Sequence, residues 1–132
     1  METTVLDSYA MMAFFQDEPG AEIVHVLLLE TEKGKIRLVM SVVNLGEVWY
    51  SIARTTSPEI ADGYIRDIHG MAIEIVDADW QLTRQAAVYK ASGNIAYADC
   101  FAAALAKTQA AALVTGDREF EQLAQEIKIT WL

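Results

Sequence analysis

The chain has 132 residues, 53% hydrophobic and 22% charged, which supports a core within one domain expected to span residues 1–132 and excludes a disordered chain. A net charge of −9 excludes a nucleic-acid grip built on lysine and arginine alone, and it favours a basic protein partner. A single cysteine, Cys100, excludes an intrachain disulfide and points to a reducing, cytoplasmic setting.

Taken in chain order, short β-like runs alternate with helical ones. Thr3–Leu6 reads as a strand ending at Asp7. Tyr9–Gln16 follows as a helix apolar on nearly all sides, the mark of burial. Pro19 is suited to open a helix over Gly20–Glu32. Ile36–Met40 is a second strand, and Val42–Thr55 a helix. Ser57 and Pro58 form an N-cap and first helical position. Ile73–Val76 is a strand, and Asp79 caps a helix that stops near Gly93. Tyr97–Lys107 is an alanine-rich helix, Ala112–Val114 a strand, Arg118–Ala124 a short helix and Ile127–Trp131 a last strand. No basic flank precedes an apolar run at the N-terminus and no segment is long enough to span a bilayer, so neither a leader nor a membrane anchor is expected. This alternation predicts an α/β fold with a mainly parallel sheet covered on both faces.

Four acids stand out: Asp7, Glu47, Asp99 and Asp117. Asp7 and Asp117 each follow a predicted strand. In open parallel sheets ligands bind at the carboxyl ends of strands, so the two are expected on one edge. Asp99 is the only acid in the apolar stretch Ala96–Lys107 and is expected to face a cleft or a polar partner. Each has an ordinary reading as a helix cap or first-turn acid. Glu47 lies roughly opposite Val42, Leu45, Trp49, Ile52 and Ala53 on helical spacing, so periodicity alone makes it a solvated surface acid. Carboxylates crowded at one edge repel unless a cation binds. An all-oxygen set suits Mg²⁺ or Mn²⁺ rather than zinc. His25, His69 and Cys100 have no partners at metal-ligand spacing.

Four segments together resemble the motifs of PIN-domain ribonucleases, and in particular the VapC-type toxins of toxin–antitoxin pairs. They are Val5-Leu6-Asp7-Ser8, Ser41-Val42-Val43-Asn44-Leu45-Gly46-Glu47-Val48, Tyr97-Ala98-Asp99-Cys100-Phe101 and Thr115-Gly116-Asp117-Arg118-Glu119-Phe120. They occur in order and cover essentially the whole chain. The resemblance implies a three-layer α/β/α sandwich around a mainly parallel sheet of about five strands, PIN-like in architecture. It implies a Mg²⁺- or Mn²⁺-dependent endoribonuclease with Asp7, Glu47, Asp99 and Asp117 as its acidic quartet. Thr115, Asn44 and Ser8 would be supporting residues. Asn44 stands where a threonine is more usual, and Glu119 where a second aspartate often appears.

The implied chemistry is hydrolysis of RNA phosphodiesters by a metal-activated water. Arg54 and Arg118 are candidates to touch RNA phosphates. The implied partners are RNA and a cognate antitoxin. A homodimer is also expected, with Val43, Tyr50 and the first helix available for docking. The alternative class is a non-catalytic or weakly catalytic acidic module acting by complex formation with a basic partner. A phosphotransfer enzyme on another doubly wound fold fits less well. One such family wants a second aspartate where Tyr9 stands, and another wants an acidic pair after the first strand that is missing here.

Overall fold

The computed structural model describes residues 1–132. Five parallel strands form one sheet in the order β3-β2-β1-β4-β5. They are β1 (Glu2–Leu6), β2 (Ile36–Ser41), β3 (Ile73–Val76), β4 (Ala112–Thr115) and β5 (Ile129–Trp131). The helices are α1 (Ser8–Phe15), α2 (Ala21–Glu32), α3 (Val42–Thr55), α4 (Pro58–His69), α5 (Trp80–Ser92) and α6 (Tyr97–Thr108). A 3-10 helix covers Arg118–Leu123.

Register and alternation together make the layers. Side chains alternate across a strand, and Val5 pairs with both Val39 and Leu113. These three therefore share one face, where they pack with α5, α6 and the 3-10 segment. Leu6 and Val114, also paired, point the other way with Leu38 and Met40 into α1–α4. Burial on both faces is why the strands read as continuous apolar runs. The expected α/β/α sandwich with a five-stranded parallel sheet is what forms.

The strand order also decides where a cleft opens. From β1 the chain adds β2 and β3 on one side, then returns across the sheet through α5 and α6 to place β4 and β5 on the other. The direction reverses between β1 and β4, and at such a point the connections diverge and leave a crevice at the strands' carboxyl ends. Asp7 and Asp117 follow these two strands.

Small boundary differences have local causes. Gly20, not Pro19, is the residue before α2, in a left-handed conformation (φ 97°) that favours glycine. β5 begins at Ile129 rather than Ile127, because Ile127 N–H turns back to the Leu123 carbonyl at 3.0 Å. The expected short helix after Asp117 is a 3-10 helix.

Candidate metal centre

Asp7 leaves β1 as the N-cap of α1, and its Oδ1 accepts the Ala10 N–H at 2.9 Å. The cap is an ordinary one, but the side chain is only 1% exposed. Burial pushes its pKa up to about 7, with Asp117 and Glu47 adding to the rise; the Thr115 hydroxyl and the Ala10 N–H work against it. Thr115 Oγ1 also accepts the Asp117 N–H at 3.0 Å. The last residue of β4 thus touches both sides of the crevice.

Asp99 sits in the first turn of α6, where eight residues from Asp99 to Ala106 are buried. Its pKa also rises to about 7, from burial first and then from Asp117, Glu47, Asp7 and Glu119. No hydrogen bond offsets these effects. A carboxylate held among acids in an apolar wall, with no donor of its own, lacks the compensation that buried charge requires.

Glu47 overturns the expectation from periodicity. It is half-buried, not solvated. Its Oε1 accepts from Ser8 Oγ at 2.9 Å and from Asn44 Nδ2 at 2.8 Å. Helical spacing measures which face meets the main core. It is blind to the contact of α3 with α1 and α6 at the sheet edge, which turns the minor face of α3 into the crevice. Asn44 is fully buried and also donates to the Ala98 carbonyl at 3.1 Å, so one side chain ties Glu47 to the residue before Asp99.

The tightest group is not the expected quartet. Carboxylate oxygens of Asp99, Asp117 and Glu119 lie within 4.8 Å of one another. Asp7 and Glu47 interact with this trio electrostatically, while their own oxygens are engaged by the Ala10 amide, Ser8 and Asn44. Glu119, read from the sequence only as an unusual residue at its motif position, joins because its N–H caps back onto Asp117 Oδ1 at 3.0 Å. That tight turn brings two acids two positions apart to one side. The spacing Asp117-Arg118-Glu119 after a glycine was the available signal.

The two arginines are placed differently. The Arg118 guanidinium lies over the Trp131 ring at 4.4 Å and reaches Glu121 at 3.6 Å. Arg54 lies 4.8 Å from the centre of the Tyr50 ring. The three ion pairs of the chain, Arg37–Glu74, Lys107–Glu126 and Arg118–Glu121, all leave the crevice acids alone. Cys100 is buried in the core and its thiol is pushed up to about 11, chiefly by burial, as befits a small core residue.

The donor set fits a hard divalent cation. It is all oxygen, it holds several formal negative charges, and Asp99 has no other partner.

The comparisons agree with this architecture. The family model of the PIN domain matches residues 4–126, and the chain belongs to that family. The fold is similar to chains in the DNA-bound VapBC of Salmonella typhimurium (20% identity, 98% of each chain covered, TM-score 0.75) and the promoter-bound VapBC2 of Rickettsia felis (18%, 97% of each, 0.73). It is also similar to Mycobacterium tuberculosis VapC20, described as a Sarcin-Ricin loop cleaving toxin (15%, 96% of each, 0.69). No curated protein matches the sequence significantly. The expected PIN-domain family therefore holds over residues 4–126, and the fold is similar to that of chains solved in VapBC complexes.

Proposed function

We propose that the chain is a Mg²⁺- or Mn²⁺-dependent endoribonuclease, the toxin of a type II toxin–antitoxin pair, formed by one domain over residues 1–132. The observation that carries this reading is the convergence of Asp99, Asp117 and Glu119 oxygens within 4.8 Å with no lysine or arginine paired to them. These three would hold the cation, with Asp7 and Glu47 completing the acidic wall. A bound divalent cation supplies charge stabilisation at the phosphoryl oxygens and lowers the pKa of water.

The chain's own residues do the positioning. Ser8 and Asn44 fix the direction of the Glu47 carboxylate. The Ala10 amide and the Thr115 hydroxyl hold the Asp7 carboxylate at the start of α1. Thr115 ties the Asp117 backbone to the floor. The apolar wall of α6 keeps bulk water from one side of Asp99, so charges there act in a weaker dielectric. Protons near neutral pH compete with the cation for Asp7 and Asp99.

A cognate antitoxin is the proposed partner, since similar chains were solved as VapBC complexes. The first helix offers only part of its surface for docking. Ala10, Met11 and Ala13 are buried, and Met12, Phe14 and Phe15 pack on the same core. Val43 likewise packs inward, while Tyr50 stays exposed. The free apolar strip is on α2, at Ile23, Val26 and Leu29, and it would serve the antitoxin or a second copy. Cytoplasmic action is part of the proposal. No helix of the chain is long and apolar enough to cross a membrane.

The decisive experiment purifies the chain free of partner and maps cleavage ends on total RNA with Mg²⁺ or Mn²⁺, with and without EDTA. Expected are discrete ends bearing 5′-phosphate and 3′-hydroxyl groups that vanish with EDTA and in D7N and D99N. Intact RNA in every metal would leave the non-catalytic binding module as the reading.

A further inference from the structure

The chain has five tyrosines, and their placement is not scattered. Tyr89 is buried and Tyr64 half-buried, edge-on to Phe15. The other three are 42–45% exposed, and each lies within three positions of a crevice acid: Tyr9 after Asp7, Tyr50 after Glu47, Tyr97 before Asp99. Two of them touch the crevice directly. The Tyr9 ring lies against Gly116, the residue joining Thr115 to Asp117, so closely that a Cβ there would collide with the ring. Glycine is what allows an aromatic face beside Asp117. Beside Glu47, the Tyr50 hydroxyl sits 3.5 Å from Oε2 and the Arg54 guanidinium rests over its ring.

A −9 chain with an acidic crevice must hold a polyanion while offering few cations. Phosphate contacts of the usual kind cannot supply most of that grip. Stacking can, because every base has a π face and the interaction does not depend on net charge. Tyrosine gives a rigid platform at small entropic cost.

Resting on the nuclease reading above, we propose that Tyr9 and Tyr50 are stacking platforms for unpaired bases on the two sides of the phosphate at the carboxylates. Duplex RNA keeps its bases stacked on one another and cannot splay them onto side chains. Arg54 then acts through Tyr50, holding its ring, rather than as an isolated phosphate contact.

The test uses full-length protein and Mn²⁺. It takes an RNA oligonucleotide carrying a site mapped with wild-type protein, a hairpin that buries the site in duplex, and copies with an abasic ribose on either side of the cut. Y9A and Y50A are each expected to raise KM about 5- to 100-fold, the range for one lost base stack, with kcat within about threefold of wild type. Y9F and Y50F keep the ring and recover most of the KM that the alanine variants lose, Y50F without its hydroxyl contact to Glu47. Each abasic copy costs wild-type protein the same factor, and costs the matching alanine variant nothing more. The hairpin is cut at least about tenfold more slowly. A KM unchanged from wild type in both alanine variants, additive losses with the abasic copies, or equal cleavage of hairpin and open strand would overturn the stacking role while leaving the nuclease reading intact. So would alanine variants whose only loss is antitoxin affinity, which would make the tyrosines a protein-docking rim. No cleavage of any RNA by wild-type protein would remove the nuclease reading, and the stacking role with it. The abasic arm needs no substitution, so it decides the matter even if an alanine variant folds poorly.

Discussion

Helices α3 and α6 each deliver one acid to the same crevice, and they do it in opposite ways. α6 is buried through most of its length, and Asp99 stands in its first turn with nothing donating to it. α3 is amphipathic, and Glu47 stands on its half-exposed side with two short hydrogen bonds. The first acid is held by packing and left electrostatically uncompensated. The second is held by a polar network and compensated in place. An acid of the first kind makes the metal-free protein less stable and draws a cation. An acid of the second kind orients a carboxylate.

Substitution separates the two most sharply. D99N is expected to lower Mg²⁺-dependent cleavage about a thousandfold or more. It is also expected to raise the stability of the metal-free protein at pH 8 by about 2 kcal/mol, since it removes an uncompensated charge. D7N should behave alike, because asparagine remains a good N-cap for α1. E47Q should lower cleavage as well but leave metal-free stability within about 0.5 kcal/mol, because an amide oxygen still accepts from Ser8 and Asn44. Urea titrations in EDTA measure all three, and a destabilised D99N would contradict the account of α6.

The same contrast has a pH signature. Asp7 and Asp99 have pKa values of about 7 in the fold against 3.8 for the unhindered group. Between those values the folded form keeps protons that the unfolded chain has lost. Metal-free stability is therefore highest at the acid end and falls as pH rises from about 4 to 7, by about 2 kcal/mol or more, then levels off. Saturating Mg²⁺ should restore stability most above pH 7, where the carboxylates are free of protons. Thermal melts across pH with EDTA or Mg²⁺ read this directly; a flat EDTA profile would show that the acids are solvated.

Smaller effects probe the polar network. N44A removes the donor shared by Glu47 and the Ala98 carbonyl and should cost about 1–3 kcal/mol, with a parallel loss of activity. G116A should cost about 1–2 kcal/mol by forcing the Tyr9 ring off the Asp117 loop. S8A, which loses one hydrogen bond at a half-exposed carboxylate, should cost less than about 1 kcal/mol. Denaturant midpoints at constant slope rank the three, and an S8A cost above that of N44A would reverse the proposed hierarchy.

Legibility in the sequence followed the range of the interaction. α3, α4 and β3 were readable because caps and periodicity are local signals: Ser57 bonds the Ile60 N–H as a cap should, with Pro58 next. The edge position of Asp7 and Asp117 followed from parallel topology, which alternation implies. Glu47 misled, because its neighbours Ser8 and Ala98 lie on other elements and the periodicity of one helix carries no information about them. Glu119 was legible only as a departure from a motif, because its entry into the cluster depends on a 3-10 turn rather than an α-helical one.

By itself the sequence determined the element order, the parallel α/β class and the placing of acids after strands, since these depend on composition and spacing along the chain. Only the tertiary structure decided which acids meet. The trio of Asp99, Asp117 and Glu119, the tether through Asn44 and the Tyr9 ring over Gly116 all join residues from separate elements. Distances of a few ångströms between such elements are set by packing of the layers, and no local pattern encodes them.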